Sequence, residues 1–415
     1  MNNTKSNVIY MAISQGVNYI LPLLIYPLLI RTLGIEKFGG VSLSIAVMQV
    51  LLLVVEYGFG YSATKLVAIN HLDKNYTSQI FSKVKFARVI LFIALIPLVF
   101  ISLYVDSLRN IKELIFISLI AVFFNIFNPN WFLQGLGLMK VMALNSIISR
   151  GVVLVVVYIY VILLGENNTA EITLILVLPY VIYSILSVSY LVARNFVSLY
   201  IPSIGDVIEV LKDGCYFFCS TVATSTYTML TPIVLGIVSG NSAVGIFNSA
   251  NMVKQALAGL IAPLIQAVYP KINIINKESP DKAYRLSIKF LKWIGSLFLI
   301  ITIPLLFFPE QLSNIFFGDK GEQISNVLQL MSVLPVFIVF NTIVGLLILI
   351  PQGKNKTYFK IIVSGGVGCL LVVYPMCKYF GVIGATISLL IAEVIVMVGM
   401  ATVIIKCNKQ KREQM

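Results

Sequence analysis

The stretch VGIFNSANMVKQALAGLIAP, residues Val244–Pro263, decides how the rest of the chain is interpreted. It is mostly apolar and carries one charge, Lys254. About 20 apolar residues are what an α-helix needs to cross a bilayer. A charged side chain at bilayer depth is costly unless it faces protein, a partner or water, so it usually marks a path for something polar. Three other charges, Glu56, Arg150 and Glu393, stand in similar stretches.

Composition places the whole chain in a membrane. Its 415 residues are 59% hydrophobic and 11% charged, and the mean hydropathy is +0.95. Soluble domains have about 25% charged residues, and the continuous apolar segments lack the alternation of membrane strands. The sequence predicts an all-α integral membrane protein with twelve helices, and the connections are shortest between helices 7 and 8 and between helices 11 and 12. The predicted helices lie near residues 8–30, 41–63, 86–105, 114–134, 144–164, 172–193, 214–238, 246–270, 288–308, 325–350, 358–377 and 382–405.

The lysines and arginines predict the orientation. With twelve crossings from an inside N-terminus, 22 of the 30 basic residues fall on inside segments and six on outside loops. The inside set includes Arg88, at the inside end of the third helix. Cytoplasmic segments of membrane proteins carry the excess of basic residues, so both termini are expected in the cytoplasm. The net charge of +13 is then a topology signal that involves membrane lipid, and nucleic acid is not an expected partner.

A weak internal repeat divides the chain into halves. At an offset of 205 residues, Pro27 aligns with Pro232 and Gly40 with Gly245. An offset near half the length, with six helices on each side, fits parallel repeats related by an axis along the membrane normal. We therefore expect two six-helix bundles, related by a pseudo-two-fold axis, around a central cavity. The expected bundles are residues 1–200 and 201–415.

One face of the eighth helix carries amide side chains. At 100° per residue, Asn248, Asn251 and Gln255 share a stripe with small residues, and Lys254 borders it. Such a face packs closely on another helix or lines a wet cavity, and amides with a lysine favour the cavity. Lys254 lies about 13 Å into its helix at 1.5 Å per residue. We expect it to attract an anion, and the alternative is a structural pair with a buried glutamate.

The other intramembrane charges have two interpretations each. Arg150 lies near the inside end of the fifth helix, where it binds a phosphate in bidentate geometry or extends its stem to the interface. Glu56 and Glu393 are the candidates for proton or ion coupling, since carboxylates inside membranes often belong to ion pathways. Either glutamate could instead neutralise a buried cation.

An amide cluster interrupts the fourth helix. Asn125, Asn128 and Asn130 surround Pro129 and precede Trp131. Amides that donate and accept hydrogen bonds, beside an aromatic face, are suited to sugars. The alternative is an interfacial tryptophan next to helix-breaking residues.

Five strings carry a resemblance to a known family. They are LIRTLGIEKFG (Leu29–Gly39), VEYGFGYSAT (Val55–Thr64), PNWFLQG (Pro129–Gly135), VGIFNSANMVKQALAGLIAP (Val244–Pro263) and AVYPKI (Ala267–Ile272). Together they resemble Wzx-type O-antigen flippases of the multidrug/oligosaccharidyl-lipid/polysaccharide exporter (MOP) superfamily. The resemblance extends over the whole chain, including its length and its helix pattern.

The resemblance implies a multi-pass carrier in the bacterial inner membrane. Such a carrier moves undecaprenyl-pyrophosphate-linked O-antigen repeat units from the cytoplasmic to the periplasmic leaflet, by alternating access with ion or membrane-potential coupling. The implied partners are an O-antigen polymerase and a chain-length regulator. The family's cationic cavity would match Lys254, Arg150 and Arg31, although Arg31 at the outside end of the first helix equally suits a headgroup contact.

Two other functions fit a chain of this kind. A drug or cation exporter of the same superfamily predicts a cavity dominated by acids, whereas this chain has two acids, two cations and several amides. A membrane O-antigen polymerase predicts a large outside loop, and none is expected here. The sequence has no GxxxxGK[ST] loop and one histidine, so we expect no enzyme activity, no cofactor and no metal site.

Overall fold

The computed structural model describes residues 4–198 and 200–413, and within those ranges every regular element is helical. Short π-helical turns, Ile159–Leu163 and Val344–Leu349, follow α8 and α15, and a 3₁₀ turn, Gly318–Lys320, follows α13. The helices are α1 (Thr4–Leu33), α2 (Ile35–Glu56), α3 (Phe59–Ile69), α4 (Lys74–Ser102), α5 (Asp106–Arg109), α6 (Lys112–Asn125), α7 (Asn130–Gly135), α8 (Met139–Tyr158), α9 (Thr169–Ala193), α10 (Ile204–Gly259), α11 (Ile261–Glu278), α12 (Pro280–Phe307), α13 (Pro309–Phe317), α14 (Gly321–Ser332), α15 (Leu334–Ile343) and α16 (Asn355–Glu413).

Ten stretches of the described residues are long and apolar enough to cross a membrane, and the all-α membrane class is confirmed. The predicted twelve differs from ten because two predicted helices share one stretch in α10 and again in α16. The stretches are Ala12–Leu33, Ile35–Ile69, Lys74–Ser102, Lys112–Gly135, Met139–Leu163, Thr169–Ala193, Tyr227–Ile265, Pro280–Phe307, Pro309–Leu349 and Asn355–Ile405.

Glycines reverse the chain inside both shared stretches. Gly240 has φ 80° and ψ 180°, and Gly381 has φ 53° and ψ −128°, so neither is helical. A Cβ on Gly236 would lie 3.1 Å from Val244 Cγ2, although residues eight apart in one helix are separated by about 12 Å. The chain therefore folds back on itself at Gly240, which divides α10 into a first arm (204–239) and a second arm (241–259). Only glycine adopts such backbone angles readily.

A reciprocal crossing relates α2 to the second arm of α10. A Cβ on Gly39 would overlap the carbonyl of Asn241, and a Cβ on Gly245 would overlap the carbonyl of Ile35. A shift of 206 residues places Gly39 on Gly245 and Ile35 on Asn241, so it converts each contact into the other. This offset is one more than the offset predicted from sequence. The identities at 205 were too few to fix the register, whereas a contact between backbones fixes it to the residue.

Arg88 lies deeper than predicted. The helix α4 begins at Lys74, not near residue 86, because Asp73 caps it by accepting a hydrogen bond from the Tyr76 N–H at 3.0 Å. Arg88 is therefore about 21 Å into the helix at 1.5 Å per residue, and it is 4% exposed. Arg88 was predicted at the membrane edge because hydropathy does not detect the polar first turns of a helix.

Burial distinguishes central from peripheral helices. In the most apolar 18 residues of Ile35–Ile69, 72% of the residues are buried inside the protein, compared with 28% in the corresponding 18 residues of Lys74–Ser102 and of Asn355–Ile405. Peripheral helices of this kind expose large apolar side chains, as lipid-facing surfaces do. By this measure α2 belongs to the most buried of the ten stretches.

Candidate functional site

A central cavity of about 240 Å³ lies where α1, α2, α8, α9 and both arms of α10 meet. Its wall contains amides from both halves of the chain, together with tyrosines and one arginine. The predicted residues Asn248, Asn251, Gln255 and Arg150 are among them. The polar lining residues are Asn18, Tyr19, Tyr26, Ser42, Gln49, Arg150, Tyr180, Thr228, Asn248, Asn251 and Gln255.

The cavity wall repeats between the halves at the same offset of 206. Gln49 on α2 corresponds to Gln255 on the second arm of α10, and Ser42 corresponds to Asn248. The amide stripe predicted from the sequence includes the α10 members, Asn248 and Gln255, but the α2 members were not predicted. The correct register would have identified both, because it aligns Gln49 with Gln255.

A smaller space of about 120 Å³, which we call the side chamber, adjoins the central cavity. Four residues line both spaces, so they mark the junction: Asn18, Arg150, Pro179 and Tyr180. The remaining residues of the side chamber come from α1, from the turn before α7 with the first residue of α7, and from α8 and α9. They are Ser14, Asn128, Asn130, Ser146 and Tyr183.

Arg150 is the charged residue of both linings. Its Nη1 donates to Ser146 Oγ at 2.6 Å, and its guanidinium interacts electrostatically with the hydroxyl groups of Tyr180 and Tyr183. A guanidinium has five N–H donors, so the bond to Ser146 leaves donors that could contact an anion. The two spaces that Arg150 lines therefore leave room for the phosphate that it is predicted to bind.

Two buried polar atoms of the central cavity lack a partner in the described part of the chain. They are Ser42 Oγ on α2 and Asn251 Oδ1 on the second arm of α10. A buried polar atom without a hydrogen bond costs about 1–3 kcal/mol. A ligand with hydroxyl groups, or water, would satisfy both atoms.

The amide cluster forms an irregular turn between α6 and α7, and Arg88 braces it. Arg88 Nη1 donates to the carbonyl oxygens of Asn125 at 3.0 Å and Asn128 at 2.8 Å. Irregular backbone at membrane depth persists only where its polar groups are satisfied or line a cavity. Asn128 and Asn130 line the side chamber, whereas Asn125 is 2% exposed and lies behind it.

Trp131 is buried in the protein, so the interfacial alternative for it is wrong. It is 4% exposed, and its ring stacks on Phe81 with 6.2 Å between centroids. Its carbonyl oxygen accepts a hydrogen bond from Thr64 at 3.0 Å. It anchors α7 and does not line either cavity.

Glu56 belongs to the network of Arg88. Its Oε1 accepts from Asn125 Nδ2 at 3.5 Å, and it interacts electrostatically with Arg88. Glu56 keeps an exposed surface while Arg88 does not. Arg88 was predicted to lie at the membrane edge, whereas the structure makes it the cation that interacts with Glu56.

Lys254 and Glu393 form the corresponding network in the C-terminal part of the chain. Lys254 is 9% exposed and interacts electrostatically with Glu393. Glu393 also accepts hydrogen bonds from Asn341 Nδ2 at 2.8 Å and the Tyr227 hydroxyl at 3.4 Å. Neither Lys254 nor Glu393 is among the lining residues of the two cavities.

Arg31 lies at the end of the molecule where the two parts of the chain meet closely. Its Nη2 donates to the carbonyl oxygen of Ile315 at 2.6 Å, and Ser107 Oγ donates to that of Ile237 at 3.3 Å. The glycine crossing of α2 lies at the same end, which we call the closed end. The side chamber reaches Ser14, about 25 Å along α1 from Arg31. Tyr26, five residues before Arg31, lines the central cavity, but Arg31 itself lines neither space.

Comparisons with known proteins agree on the family and the fold. The polysaccharide biosynthesis protein family matches residues 4–276. A protein of Escherichia coli K12 named "Putative O-antigen transporter" is 33% identical over 399 residues, 94% of each chain. An inward-facing multidrug resistance MATE family transporter of the MOP superfamily has a TM-score of 0.76 at 19% identity, covering 98% of this chain and 99% of that one. An outward-facing structure has a TM-score of 0.65 at 20% identity, covering 97% and 94%.

Proposed function

Because the chain belongs to the polysaccharide biosynthesis protein family, among the Wzx-type flippases, we propose that it carries lipid-linked O-antigen repeat units across the bacterial inner membrane. The cargo would be an oligosaccharide on undecaprenyl pyrophosphate, and the direction would be from the cytoplasmic to the periplasmic leaflet. An O-antigen polymerase and a chain-length regulator would act on the unit after its release.

The charge of the cavity wall is the observation that carries this proposal. Among the described residues, Arg150 is the one charged side chain in the linings of the two cavities, and the other polar groups there are amides and hydroxyls. An arginine suits a phosphate group, and neutral donors and acceptors suit sugar hydroxyls. A drug or cation exporter would need carboxylates on this wall.

The topology proposed for this transport has twelve crossings with both termini in the cytoplasm. Reversals at Gly240 and Gly381 support twelve crossings, because each divides one long apolar stretch in two. The excess of basic residues on one side supports the orientation, and 21 remain there after Arg88 is assigned to the membrane. The halves would be two bundles, residues 1–200 and 201–415.

Alternating access is the proposed mechanism, with the closed end facing the periplasm. The contacts of Arg31 and of the Gly39–Gly245 crossing support an inward-facing state, and the higher TM-score with an inward-facing structure agrees. An anionic head that moves outward gains about 2.3 kcal/mol per charge per 100 mV when the cell interior is negative. Ion coupling through Glu56 or Glu393 would require each to separate from its cation, Arg88 or Lys254.

Substrate contact by Lys254, Arg31 and Asn125 remains a prediction. None of the three lines either cavity in this state. Such contact would require the cavity to change shape during transport.

Deletion and rescue in a host with smooth lipopolysaccharide would test the proposal. Loss of O-antigen with single repeat units stranded in the cytoplasmic leaflet would support a flippase. Rescue should fail with Arg150→Gln, and be partial with Arg150→Lys, at matched expression. Unpolymerised units in the periplasmic leaflet of the deletion strain would overturn the proposal and favour a polymerase.

A further inference from the structure

The side chamber is built from one part of the chain, unlike the central cavity. Its lining comes from α1, from the turn before α7 with the first residue of α7, and from α8 and α9, whereas the central cavity takes residues from α10 as well. Its volume is about 120 Å³, half that of the central cavity. Hydroxyls and amides dominate its lining, and they offer both donors and acceptors to a neutral, hydroxyl-rich group.

A chain of hydrogen bonds fixes the wall of the side chamber. The Tyr183 hydroxyl donates to Asn130 Oδ1 at 2.9 Å, and the Asn130 N–H donates to Asn128 Oδ1 at 3.0 Å. Asn128 Nδ2 donates in turn to Asn125 Oδ1 at 3.0 Å. Side chains held in this way are preorganised, so a ligand that fits them loses little free energy in ordering them.

Arg88 holds the backbone of the same turn from behind. Its two hydrogen bonds to the carbonyl oxygens of Asn125 and Asn128 span the turn, and Arg88 itself does not line the side chamber. Both bonds leave the same nitrogen, Nη1. A lysine would hold this turn less well, because its ammonium ends one bond short of Nη1 and sits on a flexible stem.

We propose that the side chamber binds the sugar directly attached to the pyrophosphate, and that Arg88 is a positioning residue that sets the shape of this subsite. The proposal rests on the proposed function, because it assigns the phosphate to Arg150. Arg150 stands at the junction of the two spaces, so a phosphate held there would place its attached sugar beside Asn130 and Tyr183. The remaining sugars would occupy the central cavity, where Ser42 and Asn251 have unpartnered atoms.

Fluorescence of Trp131 provides the test. The chain has two tryptophans, and Trp293 is 66% exposed, so full-length Trp293→Phe protein reports on Trp131 alone. Trp131 follows Asn130 in the chain and should respond to binding at the turn. The two probes are farnesyl pyrophosphate and farnesyl pyrophosphate linked to one sugar of the host's repeat unit. The sugar should increase affinity at least tenfold in the Trp293→Phe protein.

Variants of the chamber wall should remove this increase. In Tyr183→Phe and Asn130→Ala proteins, the sugar-bearing probe should bind no more tightly than the sugarless one. Asn130→Ala should also leave the affinity for the sugarless probe unchanged. Tyr190→Phe, on the same helix but outside both linings, is the matched control and should keep the increase. Arg150→Gln should weaken both probes.

Arg88→Lys separates a positioning role from a direct contact. It should lose the increase from the sugar and keep the affinity for farnesyl pyrophosphate. A weaker affinity for farnesyl pyrophosphate would identify Arg88 as a phosphate ligand and overturn its positioning role. An increase that survives both Tyr183→Phe and Asn130→Ala would overturn the subsite alone. If neither probe binds the Trp293→Phe protein, the proposed function fails as well.

Discussion

One added methyl group at Gly245 tests whether the crossing of α2 and α10 seals the closed end. In a Gly245→Ala variant, the new Cβ would lie 2.9 Å from Ile35 Cγ2 and overlap the Ile35 carbonyl. Carbon atoms in contact are ordinarily about 3.5–4.0 Å apart. Relief of the Ile35 Cγ2 contact alone needs roughly 0.6–1.1 Å. The overlapping carbonyl of Ile35 is backbone and cannot rotate away, so the two helices themselves would have to separate.

The cost of this separation sets the expected effect. Overpacking of a well-packed contact costs about 1–3 kcal/mol. If that cost falls on the closed state and is relieved in the open one, the equilibrium shifts by about 5–150-fold towards the state that is open at this end. The Gly245→Ala protein should then expose its central cavity to the periplasm more often.

Cysteine labelling in whole cells measures this shift. The reporter is Ile45→Cys, which lines the central cavity, in a chain whose native cysteines are replaced. A membrane-impermeant maleimide added from outside should label the reporter faster when Gly245→Ala is present. Gly295→Ala is the matched control, because a Cβ there would have no atom within 4 Å. Equal labelling rates in the two folded variants would refute the assignment of this crossing as the seal.

Three further variants test other parts of the structure. The pKa of the partly exposed Asp206 carboxyl is held below its usual range by Lys83, at 2.7 Å, and by the capping residue Ser203. The ionised Asp206 carboxylate therefore stabilises the fold fully above its ordinary pKa of about 3.9, and this contribution is lost as the pH falls. Asp206→Asn should reduce the acid dependence of the thermal unfolding temperature. An unchanged dependence would contradict this. Arg31→Ala should increase periplasmic labelling of the cavity and leave binding of farnesyl pyrophosphate unchanged, whereas weaker binding would restore Arg31 as a ligand. Lys254→Met should lower the thermal unfolding temperature more than the double variant with Glu393→Gln, because the single variant leaves the charge of Glu393 without its compensating cation; equal losses would argue against the pair.

Hydropathy and helical phase predicted the class of the fold and one face of the site. The apolar stretches identified the helices, and the amide stripe identified Asn248, Asn251 and Gln255 as candidates, which line the central cavity. Both predictions use only the pattern of residues within one segment, so they need no information about which segments pack together. The partner stripe on α2 was missed because Ser42 and Gln49 lie in a helix whose mean composition is strongly apolar.

Pairings between distant charges could not be predicted in the same way. Arg88 and Glu56 are 32 positions apart, and their contact depends on where α4 begins and how α6 breaks. The sequence contains the cause of each event, a capping aspartate and Pro129, but not the distance between the helices. Side chains such as Tyr183 carried no signal either, since a tyrosine in an apolar helix is ordinary.

The charge balance inside the membrane argues that recognition of an anion depends on Arg150. Glu56 offsets Arg88, and Glu393 offsets Lys254, so each network is close to neutral as a unit. Neutral networks can stay buried while the cavity changes shape, because neither partner is left unpaired. Arg150 interacts with the hydroxyl groups of Ser146, Tyr180 and Tyr183, which carry no negative charge, so the cavity wall presents its positive charge. A carrier arranged in this way would bind the anionic head through Arg150. When it is empty, the charge of Arg150 would have no counter-charge, so the hydroxyl groups of the neighbouring tyrosines would stabilise it.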